Sequence, residues 1–193
     1  MKTILMLKYG TKYSKEDVDR IIEATGGKYN YACITNDTTL DSRVKIIPLP
    51  EDVDGTFIKI WMYGLEDLGD VLYFDLDIRI QKDVDNLWNY LDERPTICYT
   101  YWKNISWVDK NARSYSEQYL SNYNSSAVLW RSGSPKAKEI WEHFKKDMDY
   151  YISSIGVTID FYGMRSLILS GFQKASFILF SMVQTTTTQR REL

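Results

Sequence analysis

The amino-acid sequence predicts an α/β fold in which a mixed, mostly parallel sheet is flanked by helices. Short apolar runs typical of buried strands alternate with segments of helical periodicity from the beginning of the chain. Such alternation places helices on both faces of one sheet. The 193 residues, 44% of them hydrophobic and 26% charged, suffice for one domain with a substantial core. We expect this domain over residues 1–184, followed by a polar, disordered tail at residues 185–193.

The first third of the chain contains three predicted strands and two predicted helices. Each strand is an apolar run that ends in turn residues or prolines. Ser14 is the predicted N-cap of the first helix, because acidic residues and then apolar residues at helical spacing follow it as far as Gly26. A second helix, at residues 57–62, is expected to pack on the sheet. The strands are predicted at residues 4–7, 29–35 and 44–49.

The rest of the chain continues the alternation around one long polar segment. Residues 103–122 are polar, aromatic and aperiodic, which predicts a surface loop of the kind that often binds ligands. Pro135 opens the last clear helix. The strands are predicted at residues 71–74, 96–102 and 125–130, and the helices at residues 84–91 and 135–150.

Two aspartates follow the apolar strand at residues 71–74. If the backbone stays extended, Asp75 and Asp77 lie on one face, because side chains alternate along a strand. Two carboxylates held together favour a divalent cation, and oxygen ligands suit Mg²⁺ or Mn²⁺. Two solvated acids at a strand end are the alternative. The same spacing occurs elsewhere without a preceding buried strand, at Asp17/Asp19, Asp52/Asp54, Asp83/Asp85 and Asp147/Asp149.

Several candidate polar residues lie at the carboxyl ends of predicted strands. Ligands bind to α/β sheets beyond the carboxyl ends of the strands. Asp75 and Asp77, the turn at Tyr9, and the Asn36-Asp37 pair all fall at such ends. We therefore expect the binding site at this edge of the sheet.

Composition limits the classes of partner and compartment. The net charge of −2, without blocks of like charge, argues against nucleic-acid binding. Cys33 and Cys98 lie in apolar runs and are expected to be buried free thiols. The apolar run at residues 4–7 is too short for a signal peptide, and no segment approaches membrane-spanning length. We expect a cytoplasmic protein, whose oligomeric state the sequence does not indicate.

Several segments, in chain order, resemble those of one enzyme family. They are residues 6–13 (MLKYGTKY), 57–60 (FIKI), 73–77 (YFDLD) and 123–130 (YNSSAVLW). A further match is residues 156–160 (GVTID), where Phe161 replaces the usual glutamine. Together they resemble the GT-A type glycosyltransferases that use nucleotide sugars, both small bacterial and viral members and the glycogenin-like superfamily. The resemblance covers roughly residues 4–168 and implies a single Rossmann-like GT-A domain with a DxD motif.

The resemblance implies transfer of a sugar from a nucleoside-diphosphate sugar, foremost a UDP-sugar, to a hydroxyl of a saccharide or other acceptor. The activity would be hexosyltransferase-like, with undetermined stereochemistry. Asp75 and Asp77 would bind Mn²⁺ or Mg²⁺, and Asp75 would also contact ribose or sugar. Asp160 is the candidate catalytic carboxylate. The other candidates are Tyr9, Gly10 and Thr11 at the nucleotide, Asn36 and Asp37 at the base, Lys59 at the donor phosphate or sugar, and Asn124 and Ser125 at the sugar hydroxyls.

Structural roles remain open for several of these residues, as do two other functions. Lys59 could be a helix lysine that extends its ammonium to solvent, and Asn36-Asp37 could be ordinary turn residues. Many such enzymes supply a third metal ligand near the C-terminus, often a histidine, but the one histidine here is His143 in a predicted helix. The alternatives are therefore a catalytically impaired nucleotide-sugar-binding protein of the same fold, or a sugar nucleotidyltransferase.

Overall fold

The computed structural model describes residues 1–53, 55–99, 123–149 and 183–185. Three α-helices are described, of which α2 is extended at both ends by 3₁₀ turns at Gly55–Phe57 and Met62–Gly64. The helices are α1 (Lys15–Ala24), α2 (Ile58–Trp61) and α3 (Pro135–Lys146). The strands are β1 (Lys2–Leu7), β2 (Asn30–Ile34), β3 (Val44–Ile47), β4 (Asp70–Phe74), β5 (Ile78–Ile80), β6 (Thr96–Tyr99), β7 (Tyr123–Arg131) and β8 (Val183–Thr185).

Six of the strands form one mixed sheet in the order β3-β2-β1-β4-β7-β6. β1 pairs in parallel with both β2 and β4, and β2 pairs in parallel with β3. β7 runs antiparallel to its neighbours β4 and β6. The predicted α/β fold with a mixed, mostly parallel sheet is confirmed. Because β7 is reversed, its beginning lies at the same edge as the ends of β1, β2 and β4.

Alternate residues of the strands build two hydrophobic layers, one on each face of the sheet. On one face, α1 buries Val18, Ile21 and Ile22 against residues that include Ile4, Met6, Cys33, Leu72 and Phe74. On the other face, α2 and α3 pack on residues that include Leu5, Ile34, Tyr73, Val128 and Trp130. The helices therefore lie on both faces, as the alternation of elements predicts.

The predicted element types agree with the structure, and their ends differ in places. Ser14 caps α1 in a reciprocal capping box with Asp17. The predicted helix at residues 84–91 is a 3₁₀ helix at Asp85–Tyr90. The last helix ends at Lys146, four residues before the predicted end, because Asp147 leaves helical geometry with φ −125°. The predicted loop at residues 103–122 lies outside the described residues.

Two further expectations concern the thiols and the end of the chain. Cys33 and Cys98 are buried free thiols, as predicted, and burial raises the pKa of each to about 12. β8 pairs antiparallel with β5, and Thr185, the first residue of the predicted tail, lies opposite Ile78. Residues 186–193 lie outside the described part of the chain, so the domain boundary at residue 184 stays a prediction. Within the described ranges, no helix has both the length and the apolar character needed to cross a membrane.

Candidate active site

The carboxyl edge of the sheet brings together the polar residues that follow its strands. The Lys8 amide donates to the carbonyl oxygen of Ile34 at 3.0 Å, which joins the ends of β1 and β2. The Asp75 amide donates to the carbonyl oxygen of Ser126 at 2.9 Å, which joins the end of β4 to the beginning of β7. This edge carries the predicted site residues Tyr9, Gly10, Thr11, Asn36, Asp37, Asp75, Asp77, Asn124 and Ser125.

Asp75 is held by a lysine and a tyrosine on the α2 side of the sheet. The Lys59 ammonium lies 2.6 Å from Oδ1 and 2.8 Å from Oδ2 of Asp75. The Tyr73 hydroxyl donates to Oδ1 at 2.5 Å. Both members of the ion pair are largely buried, with 20% of the Lys59 side chain and 16% of the Asp75 side chain exposed. The Lys59 ammonium therefore does not simply extend into solvent. It forms an ion pair with Asp75, a residue of the predicted site.

The surroundings of the Tyr73 hydroxyl favour its protonated form, which is the form that donates to Asp75. The pKa of this hydroxyl is raised well above 10, first by burial and then by the charge and hydrogen bond of Asp75, with smaller contributions from Tyr13 and Asp77. A fixed donor and a fixed ammonium together define the orientation of the Asp75 carboxylate. The sequence alone indicates no role for Tyr73. Its position two residues before Asp75, on the same face of β4, is the signal that could have identified it.

The backbone does not stay extended between the two aspartates, so the alternation of side chains along a strand no longer fixes their relative orientation. The chain turns at Leu76 and Asp77, with the Ile78 amide donating to the Asp75 carbonyl oxygen at 3.4 Å. Asp77 consequently contacts the segment before α1. Its Oδ2 accepts a hydrogen bond from the Tyr13 hydroxyl at 2.9 Å and lies 3.4 Å from the Lys12 ammonium. Each aspartate thus has its own lysine and its own tyrosine.

Asn36 and Asp37 are used in turns beyond β2. Oδ1 of Asn36 accepts from the Leu49 amide at 3.2 Å, which ties this turn to the residues after β3. Asp37 accepts from the amide and hydroxyl of Thr39 and pairs with Lys8 at 3.0 Å. These contacts lower its pKa to about 2, those of Thr39 first. The turn role that the sequence left open is therefore present, while base binding stays a prediction.

Tyr9 and Gly10 offer a different kind of surface at the end of β1. The Tyr9 side chain is 38% exposed, one of the few large hydrophobic side chains at the surface of the described residues. Its hydroxyl lies 4.0 Å from the position that a Cβ on Gly55 would occupy. Gly10 has φ +62°, and a Cβ there would meet nothing within 4 Å, so turn conformation rather than crowding favours glycine. Thr11 is exposed beside them.

Asn124 and Ser125 begin β7 next to the Asp75 turn. Oδ1 of Asn124 accepts from the Ser126 amide at 2.7 Å, which fixes its side chain locally. Ser125 is a buried polar residue with 9% exposure. The pairing with β6 is irregular here, shifting between Ile97 and Cys98. Contacts of these two residues with a sugar stay predictions.

The two aspartates fit a divalent cation by chemistry, although lysines compete for them. Carboxylate oxygens are the ligands of Mg²⁺ and Mn²⁺, and Mg²⁺ commonly binds one or two carboxylates together with substrate phosphates and waters. Within the described ranges, no three His, Cys, Asp or Glu side chains form a group that could hold a metal. His143 is an exposed residue of α3, and Asp160 lies outside the described residues. Phosphate oxygens and water would therefore complete the coordination.

Comparison with known proteins shows the fold. No family model and no curated protein matches the sequence. The structure is similar to the glycosyltransferase GlyE of Streptococcus pneumoniae TIGR4, with TM-score 0.59 and 11% identity, over 91% of this chain and 44% of GlyE. It is also similar to the galactosyltransferase LgtC in complex with donor and acceptor sugar analogs, with TM-score 0.56 and 13% identity, over 92% of this chain and 72% of LgtC.

The chain spans less than half of GlyE but nearly three quarters of LgtC. At these low identities the likeness concerns backbone architecture, and it covers almost the whole chain. The protein therefore has the α/β fold of these glycosyltransferase structures.

Proposed function

We propose that this protein is a metal-dependent glycosyltransferase that moves a sugar from a nucleoside-diphosphate sugar, most simply a UDP-sugar, to an acceptor hydroxyl. One observation carries the proposal: Asp75 and Asp77 lie at a turn on the carboxyl edge of a sheet that has the α/β fold of glycosyltransferase structures. Ligand sites of α/β sheets form at this edge. The other Asp-x-Asp pairs of the sequence do not follow a buried strand of the sheet.

The charges around the turn support a diphosphate ligand. Lys59 and Lys12 bring ammonium groups to Asp75 and Asp77, and Lys8 brings a third to Asp37. Ammonium groups bind phosphate oxygens well. A Mg²⁺ or Mn²⁺ bound by Asp75 and Asp77 would neutralise the charge that develops on the leaving diphosphate. In this proposal, Lys59 gives up part of its contact with Asp75 and binds the donor phosphate.

The remaining predicted residues complete the proposed site. Tyr9, Gly10 and Thr11 form an exposed turn against which a nucleotide can lie. Asn124 and Ser125 present small polar groups to the sugar. Asp160 remains the candidate catalytic carboxylate, outside the described residues.

Binding of UDP in the presence of Mn²⁺, measured by calorimetry, tests the proposal. Asp77→Ala should abolish Mn²⁺-dependent binding, since it removes one of the two carboxylates. The matched control is Asp83→Ala, which removes an exposed aspartate that also pairs with a lysine, Lys28, at 3.1 Å. That control should bind UDP like the wild type. Unchanged binding in Asp77→Ala would overturn the assignment.

A second candidate function is nucleotide-sugar binding without turnover. The lysine already present at each aspartate favours it, because a cation must compete with an ammonium for the same carboxylate. A donor-hydrolysis assay over UDP- and GDP-sugars with Mn²⁺ separates the two functions. Turnover of any donor supports the transferase, and binding without turnover supports the binding protein.

A further inference from the structure

The side chain of Arg20 attaches the turn at Leu76 and Asp77 to α1. Nη1 of Arg20 donates to the carbonyl oxygen of Ile78 at 2.7 Å, and Nη2 donates to the carbonyl oxygen of Leu76. These two carbonyl groups belong to the residues on either side of Asp77. One guanidinium therefore binds the backbone immediately before and immediately after that aspartate.

Arg20 is itself anchored on α1. Its Nη2 also pairs with Oδ1 of Asp17 at 3.1 Å, one helical turn earlier. Oδ2 of Asp17 accepts from the Ser14 amide at 2.9 Å in the capping box of α1. Asp17, which the capping box fixes at the start of α1, therefore holds the guanidinium in place. The same guanidinium binds a turn more than fifty residues away in sequence.

The side chain and the backbone of Asp77 are held by different residues. Tyr13 binds the carboxylate, whereas Arg20 binds the flanking carbonyl groups. Because the guanidinium is planar and offers several donors in a fixed geometry, it can hold two carbonyl oxygens at a defined separation. A lysine, with one flexible ammonium, does not impose such a separation.

We propose that Arg20 is the positioning residue of the Asp75–Asp77 turn, which orients the Asp77 carboxylate toward the nucleotide through the backbone. The fixing of the turn by Arg20 is inferred from the two carbonyl contacts. Its effect on nucleotide binding rests on the proposed function. Arg20 makes no contact with ligand in this scheme. Its effect reaches the site through Asp77.

The first test measures UDP affinity with Mn²⁺ by calorimetry in Arg20→Gln and Arg20→Lys. Losing the charged two-carbonyl contact should weaken binding by roughly tenfold or more in Arg20→Gln, with partial recovery in Arg20→Lys. The matched control is Arg43→Gln, which removes an exposed arginine that binds Asp41 through two nitrogen atoms. The control should bind UDP like the wild type, and the melting temperature of each variant reports general damage.

The second test needs no ligand. Amide hydrogen exchange in the unliganded protein should become faster at residues 76–78 in Arg20→Gln, while the amides of β2 exchange at the wild-type rate. Unchanged exchange at residues 76–78, or UDP binding within about twofold of the wild type, overturns the inference. If the wild type itself binds no UDP, the proposed function fails, and the exchange result alone decides whether Arg20 fixes the turn.

Discussion

The ion pair between Lys59 and Asp75 should contribute measurably to folding stability, unlike the exposed pair of Lys12 and Asp77. Lys59 contacts both oxygens of Asp75, at 2.6 and 2.8 Å, and four fifths or more of each side chain is buried. A hydrogen bond to a charged group contributes about 1.5–3 kcal/mol to stability. We therefore expect a coupling free energy of about 1.5–3 kcal/mol between the two side chains, since solvent screens this pair only in part.

A double-mutant cycle isolates this coupling. Lys59→Met, Asp75→Asn and the double variant are unfolded in urea, and the free energy of unfolding is followed by the fluorescence of the 6 tryptophans. Tyr73 is unchanged in all four members of the cycle, so its contact with residue 75 cancels to first order.

The pair of Lys12 and Asp77 is the internal control. These groups lie 3.4 Å apart, and the side chains are 70% and 45% exposed. Exposed pairs of this kind contribute little, so the same cycle should yield less than about 0.5 kcal/mol, decreasing further in high salt. Equal coupling in the two cycles, or stronger coupling at Lys12, would refute the reasoning from burial.

Three further predictions concern other parts of the fold. Gly69→Ala should destabilise by about 2–4 kcal/mol in urea unfolding, because Gly69 has φ +71° and a Cβ would lie 2.3 Å from a backbone carbonyl oxygen. Gly27 has φ +64°, but the nearest atom to an added Cβ lies 3.5 Å away, so Gly27→Ala should lower the free energy of unfolding by only about 1 kcal/mol. Equal destabilisation in the two variants would show that the clash at Gly69 has no effect. Cys33 and Cys98 should resist thiol reagents until the protein unfolds, because burial raises the pKa of both to about 12; rapid labelling of the native protein would contradict this. Asp37 has a pKa of about 2 in the folded state, against an ordinary 3.8. Its ionised form therefore stabilises the folded protein at pH values above 3.8, and this stabilisation is lost as the pH falls toward 2. The difference in melting temperature between wild type and Asp37→Asn should therefore decrease as the pH is lowered from about 5 to about 2. A difference that does not change with pH would show that the charge of Asp37 does not stabilise the fold.

The placement of many candidate site residues could be predicted because it depends on where the strands end. The apolar run before Asp75 predicts a buried strand, and parallel strands bring their carboxyl ends to one edge. Asp75, Asp37 and the Tyr9 turn accordingly meet at that edge. The reversed direction of β7 was not predicted from spacing, yet it brings the beginning of this strand beside Asp75.

The partners of the aspartates could not be predicted from local pattern. Lys59 is sixteen residues before Asp75, and Tyr13 is sixty-four residues before Asp77. Contacts over such separations depend on how the helices lie across the sheet, which no single segment determines. For the same reason the sequence could state a shared face for Asp75 and Asp77 only on the condition of an extended backbone. In the structure that condition is not met, and Arg20, distant in sequence, binds the turn.

By itself, the sequence determined the alternating α/β architecture, the buried thiols and the edge of the sheet at which the candidate site residues lie. These follow from hydrophobic periodicity and turn chemistry, which are local properties of the chain. Only the tertiary structure decided that Asp75 and Asp77 each have a separate lysine and tyrosine, and that α1 holds the turn between them. Those contacts exist only when distant segments pack on opposite faces of one sheet, because the burial that orients each side chain is created by the packing itself.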